Sequence, residues 1–517
     1  MNKKIFLERL ITSKRGYALV TTLALLVTFL IGGSAYLTLS VNEVSLCKRQ
    51  TNSTKAFFLA DAGIQRALYN IKNGNMANET FTLGDISSGG GSLDDIDIST
   101  SIMNVSKNKY DITSTSSVGS ITRTIYATAL NQPPAKVFDY AYFLNNWGWF
   151  YGSGITSNGD IRSNGRFDFR GGPTVNGHIY AAQDISTDGS GIRGTGGNID
   201  HQHPNSPKVD MPNLEDLDYY ESVAIREGGN IVIDGNVVVD AVYGDDSGES
   251  GNLVLVGTPA KPIEITGPVV IRGDVIIEGT VTGQGTIYTG RNIYVVGDIQ
   301  YANGPATPRP ASDDPGVIDA WANANKDRDI LGLSARENII IGDYTKSPNF
   351  GYTGGDRWYS DLYLFDMGSE DVGVDGIPGT GDEGENDGQF DAAFEDLDGD
   401  GEFDDNYAWA DVETSVPIAQ FSNLPPGVTT FSDIATNYIS RLDGILYTNH
   451  AVAARVGSGV NFNGSVISKD EAILYRDTII FNYDERIHSR YRDDQNWLID
   501  LLLPVAVKVQ MLRWWEE

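Results

Sequence analysis

Two short runs of carboxylates follow one pattern. Glu383-x-Glu385-x-Asp387-Gly388-Gln389-Phe390-Asp391 and Asp396-x-Asp398-x-Asp400-Gly401-Glu402-Phe403-Asp404 share the order acid, acid, Asp, Gly, any residue, Phe, Asp. Oxygen donors at positions one, three, five, seven (backbone) and nine, with Gly at six for the sharp turn, are how a loop wraps a hard divalent cation such as calcium. Glu383, Glu385, Asp387, Gln389 and Asp391 are the expected donors of the first loop, and Asp396, Asp398, Asp400, Glu402 and Asp404 those of the second. Both loops lack the bidentate Glu at position twelve, where Phe394 and Tyr407 stand, and neither is flanked by a helical pattern. Asp371-Val-Gly-Val-Asp375-Gly376 reads as a degenerate third copy. No Lys or Arg occurs between Arg357 and Arg441, so the carboxylates repel one another unless cations or solvent screen them. A solvated acidic loop is the plainer alternative.

Other chemistry is sparse. His201-Gln202-His203 has the spacing to pinch a metal but lies beside Pro204 in a polar stretch. Trp147, Trp149, Tyr352, Trp358 and Trp409 could make a platform for a sugar or a surface, or simply pack locally. Cys47 is the only cysteine, so no intrachain disulfide forms. No nucleophile elbow, phosphate loop, dinucleotide fingerprint or zinc spacing is present. The net charge of −31 argues against nucleic acid as a partner.

These groups need elements to carry them, and the elements begin with an N-terminal helix. Met1 to Gly16 is basic, and Tyr17 to Asn42 contains no charged residue, long enough to cross a bilayer with the cations left on the cytoplasmic side. Three readings compete: a signal peptide cut near Gly33-Ser34-Ala35, an uncleaved anchor, or a leader cut between Gly16 and Tyr17 with the helix retained. The pattern beyond Glu43 separates them. No Pro interrupts the chain before Asn73-Gly74, and Phe57, Phe58, Ala60, Ile64, Ala67, Leu68 and Ile71 recur at helical spacing. One helix from Tyr17 to about Lys72 suits a bundle of side-by-side helices better than a simple anchor.

The segment KRG-YALVTTLALLVTFL followed by AFFLADAGIQRAL resembles the N-terminal region of type IV pilin-like proteins, in particular PilX-type minor pilins and the large tip pseudopilin of type II secretion. The resemblance covers Lys14 to Leu68. It implies processing between Gly16 and Tyr17 by a prepilin peptidase, residence in the inner membrane before assembly, and then packing against other pilins in an extracellular filament. Most pilins carry Glu as the fifth mature residue, to neutralise the ammonium of a neighbour. Here that position is Thr21, which suits a subunit at the filament tip.

The rest reads as β. Residues 79–132 alternate like a small pilin-type sheet. Gly267, Gly273, Gly279, Gly285 and Gly297 lie on a six-residue ladder, with Val269, Val275, Val281, Ile287, Ile293 and Ile299 two places on. Ile155, Ile161, Phe167, Ile179 and Ile185 share the phase across Pro173. Ile231 and Val237 repeat the spacing after a shift, and Val460 and Val466 resume it. Hexads mark β-helices and related solenoids. The expected organisation is a leader at 1–16, a packing helix at 17–72, a pilin-like sheet at 79–132, a β-solenoid at 140–300, an acidic calcium-binding insertion at 301–440, and a return to the solenoid with a C-terminal segment at 441–517. The fold class is mainly β with a long N-terminal helix. The expected function is a non-enzymatic tip pilin whose head adheres to a surface or glycan ligand or primes assembly. The alternative is a membrane-anchored β-helix enzyme acting on extracellular polysaccharide, for which a groove with paired carboxylates and basic residues would be the mark.

Overall fold

The computed structural model describes residues 14–72, 77–82, 96–106, 108–133, 135–212, 214, 217–244, 251–307, 309–310, 314–343, 389, 418–455, 459–469, 471–475, 478–491, 498–499 and 501–516. The chain divides into two compact units, Met1–Asn131 with Val509–Glu517, and Gln132–Lys508. It is a long N-terminal helix followed by mostly strand, as the composition and patterning imply.

In the first unit, helix α1 runs unbroken over Lys14–Lys72, 59 residues, or about 90 Å at 1.5 Å per residue. Several hydroxyls of its first half turn back onto the helix. The hydroxyls of Thr22, Thr28 and Thr38 each donate to a carbonyl one turn back, at 2.7–2.9 Å. Its second half buries Ala56, Leu59, Ala60, Ile64, Ala67 and Ile71, a face of three-to-four spacing. Phe57 and Leu68 are half-buried, and Phe58 points outward. That face carries an antiparallel sheet of β1 (Glu79–Phe81), β2 (Ile98–Ser106), β3 (Lys109–Val118), β4 (Ile121–Asn131) and, from the far end of the chain, β5 (Val509–Glu516). Gly63 permits the close approach: a Cβ there would overlap the Ser114 hydroxyl and sit 2.8 Å from Ile98.

In the second unit, parallel ladders stack strand on strand. Val269 pairs with Ile287, Ile287 with Leu333, Leu333 with Leu446, Leu446 with Val466, Val466 with Tyr142, Tyr142 with Ile161, and Ile161 with Ile179. A second ladder joins Leu253, Val275, Ile293, Ile339 and Val452. A third joins Ile299, Leu442, Phe462, Phe481, Ser157 and Val175. Ile161 and Ile179, Val269 and Ile287, and Val275 and Ile293 are paired at a spacing of three hexads. The aliphatic members are buried and form one contiguous core. Glycines also pair across neighbouring strands, Gly257 with Gly279 and Gly267 with Gly285.

Two features depart from the hexad reading. Ile231 and Val237 belong to an antiparallel hairpin (Asn230–Ile233 with Asn236–Asp240) that pairs with Ile263–Thr266, leaving Val237 exposed. The chain also enters the stack in the middle. Tyr142–Leu144 lie against Val466–Ser468 on one side and Ile161–Ser163 on the other, while Ile479–Asn482 lie between Val460–Asn463 and Ile155–Asn158. Neighbouring strands thus come from segments more than three hundred residues apart, and Gln132 N–H donates to the Lys508 carbonyl (2.7 Å) where the chain enters and leaves this unit. Helices α2 (Leu217–Glu227) and α3 (Pro315–Ala324) lie in connections between the strands.

Candidate functional site

Helix α1 is long and apolar enough to cross a membrane, by length and composition, and its apolar half is exposed along its whole length. Gly16 lies within the helix, and Tyr17 follows with its ring exposed. Thr21 donates its hydroxyl to the carbonyl of Tyr17 at 2.9 Å and lies 3.0 Å from that of Ala18, so it folds its polarity back onto the helix and presents no charge. Cys47 is exposed on the same helix.

The expected calcium donors Glu383, Glu385, Asp387, Asp391, Asp396, Asp398, Asp400, Glu402 and Asp404, with Tyr352, Trp358 and Trp409, lie outside the described residues; Gln389 is described, and exposed. Among the described residues no group of three or more His, Cys, Asp or Glu is placed to hold a metal ion. His201 and His203 do converge with a third histidine that the sequence left apart. The His178 ring stacks on His201 at 4.4 Å, and its Nδ1 lies 2.9 Å from Nε2 of His203. Burial and the neighbouring His178 hold the His203 pKa below its ordinary value. Trp147 donates its indole N–H to Asp168 (3.1 Å) beneath Arg166, and Trp149 rests against Tyr151.

The third ladder carries a feature the sequence reading missed. On its outward face, Asn176 donates to Asn158 (2.9 Å), Asn158 to Asn482 (2.8 Å), Asn482 to Asn463 (2.9 Å), and Asn463 to Asp443 (2.7 Å). The strand register stacks these five residues directly, as identical amides do along parallel strands. Asp443 ends the run and is saturated: each carboxylate oxygen accepts from Arg441 (2.8 and 2.7 Å), one also from Asn463 and the other from the Tyr301 N–H (2.9 Å).

Over the Asp443 end lies a cleft of about 300 Å³, floored by Asp443, Asn463 and Asn482 and walled by Tyr301, Pro305, Thr307, Arg309 and Trp321. Its wall is fixed by buried charge. Arg486, fully buried, forks onto Asp484 (2.9 and 2.6 Å) and donates to the carbonyls of Asn325, Arg328 and Asp329. Arg309 donates to Glu485 (2.8 Å), which Arg490 also binds (2.6 Å). Trp321 is held by its indole bond to Thr307 (3.0 Å). Burial, then Asp443 and Asp484, push the Tyr301 phenol far above its ordinary pKa, so it stays neutral and accepts from the Leu331 N–H (3.0 Å).

A second amide run is buried at Asn252, Asp274, Asn292 and Asn338. Asp274 N–H donates to Asn252, Asp274 accepts from the backbone N–H of Asn292, and Asn292 binds both Asn338 and Glu337. Oδ2 of Asp274 has no hydrogen-bond partner among the described residues, and Arg291 lies 3.8 Å away. Burial and the Asp274 charge push Glu337 up to about 8.

No family model matches the chain, and no curated protein does. Among solved structures, the chain is similar to the competence-associated pilin ComZ from Thermus thermophilus, at 10% identity and a TM-score of 0.27, with 90% of this chain and 98% of that one covered. A likeness of that size names no family, and the functional reading rests on the residues.

Proposed function

We propose that the chain is a type IV pilin-like subunit: a minor pilin or pseudopilin placed at or near a filament tip, with an exported head that adheres or primes assembly. The observation that supports it best is α1. Its uncharged half is exposed and its other half is covered by a sheet, which is what a subunit needs to pack one end of its helix among its neighbours' helices while displaying a head. The stacked parallel ladders are read as a β-solenoid that carries the head's surface. Other pilins are the partners through α1, prepilin peptidase is the processing enzyme, and the acidic loops take calcium.

The reading predicts a mature N-terminus at Tyr17, blocked by Gly16→Asp. N-terminal sequencing of the cellular protein checks it, and a start near Tyr36 or at Met1 overturns it. Thr21 without charge predicts that labelled antibody marks filament ends; uniform decoration of the shaft overturns the tip assignment.

The enzyme alternative has one observation in its favour, since the cleft does hold Asp443 and Asp484 among arginines. Their hydrogen bonds weigh against it. The four lone-pair directions of Asp443 are filled, and Arg486 occupies both oxygens of Asp484, so neither is poised to exchange a proton with a substrate.

A further inference from the structure

The amides on the cleft floor are only half used. Asn463 and Asn482 each give one N–H and one carbonyl lone pair to their ladder neighbours. A primary amide has two N–H groups and two lone pairs, so each retains one donor and one acceptor. Parallel pairing fixes their separation at about 4.8 Å and their orientation along the stack. The surrounding charges cancel in pairs, Arg441 with Asp443, Arg309 with Glu485 and Arg486 with Asp484. Trp321 and Pro305 add apolar wall.

A ligand matched to this floor offers adjacent groups that each donate and accept, an apolar face, and no net charge. Hydroxyls on a sugar ring have that chemistry. The volume, about 300 Å³, lies at the small end of ligand sites and suits one ring with its substituents more than a long chain. We propose that the cleft binds a neutral sugar unit of an extracellular glycan, an inference that rests on the proposed reading of this unit as an exported head. Because the amides are already hydrogen-bonded to each other, they are ordered before the ligand arrives, which limits the entropy lost on binding.

The test uses the full chain in a detergent without a sugar headgroup, titrated calorimetrically with maltotetraose, cellotetraose, chitotetraose and lactose, and with a uronic-acid tetramer as the charged comparison. At least one neutral oligosaccharide is expected to bind at millimolar concentration or tighter. Thr307→Trp, at the exposed rim, should close the cleft and abolish binding with an unchanged melting temperature. Asn482→Asp, which replaces the amide donors, should weaken binding about tenfold, the equivalent of one good hydrogen bond. No heat with any neutral sugar, unchanged binding in Thr307→Trp, or preference for the uronic acid each overturns the proposal. Processing at Tyr17 and tip labelling are read from cells and do not depend on this result, so the filament reading can stand or fall separately.

Discussion

Asp274 and Glu337 put two carboxylates into a site that amides otherwise line, and the consequence is a pH dependence of known sign. Glu337 releases its proton near 4.5 when the chain is unfolded and at about 8 when folded. Between those values the folded state holds the extra proton, so raising the pH favours unfolding; below about 4.5 the effect vanishes. Glu337→Gln keeps an acceptor for Asn292 and removes the titration. The variant should match the wild type in melting temperature near pH 4.5 and exceed it at pH 8, by about 2–4 °C for each kcal/mol recovered. Parallel melting curves across that range would show the site not to titrate. The asparagines of the outer ladder were legible in principle. Asn158, Asn463 and Asn482 each follow an aliphatic strand start by three residues, after Ile155, Val460 and Ile479. Counting only apolar positions hid them, because an outward amide leaves no mark on a hydrophobic period.

At the scale of elements, the hexads from Val269 to Ile299 name buried positions, because stacked parallel strands turn the same aliphatic site inward, whereas Val237, on the same spacing, is exposed. They do not name partners. Ile479 pairs with Ile155 through no local signal, since parallel strands meet wherever the fold brings them. The glycine ladder is also uneven in meaning. Gly279 has φ +96, and a Cβ there would overlap the Gly257 carbonyl, whereas at Gly297 the nearest obstacle is the movable carboxylate of Glu278. Gly279→Ala should therefore destabilise the unit by about 3 kcal/mol or more, and Gly297→Ala by about 1 kcal/mol. Equal losses in denaturant melts would show that the ladder reflects sequence periodicity and not close backbone approach. Helix α1 was the most legible element, because an uncharged run continuous with an amphipathic one has few other solutions. The packing of β5 against β4 was not legible: nothing in Val509–Glu516 announces a partner near residue 125.

For the whole molecule, charge is the overriding quantity. With a net −31 and no cation between Arg357 and Arg441, calcium supplied to the acidic loops should raise the melting temperature and suppress proteolysis in that segment. Extracellular sites of this kind bind at about 10⁻⁴–10⁻³ M, and a hundredfold excess of ion over the dissociation constant adds roughly 2.7 kcal/mol. Asp387→Ala with Asp400→Ala should erase the difference between calcium and chelator; identical curves in wild type would leave the loops merely solvated. The strand pairings between the two ends of the second unit carry a consequence for synthesis. A ribosome delivers Tyr142–Thr187 some three hundred residues before Val460–Tyr483. Until the later segment emerges, Tyr142–Leu144 and Ile155–Asn158 each present an unpartnered edge, a template for wrong pairing. A chain truncated before residue 460 never covers those edges. The pairing is thus its own inspection gauge, since those two edges are covered only once residues 460–482 have been made.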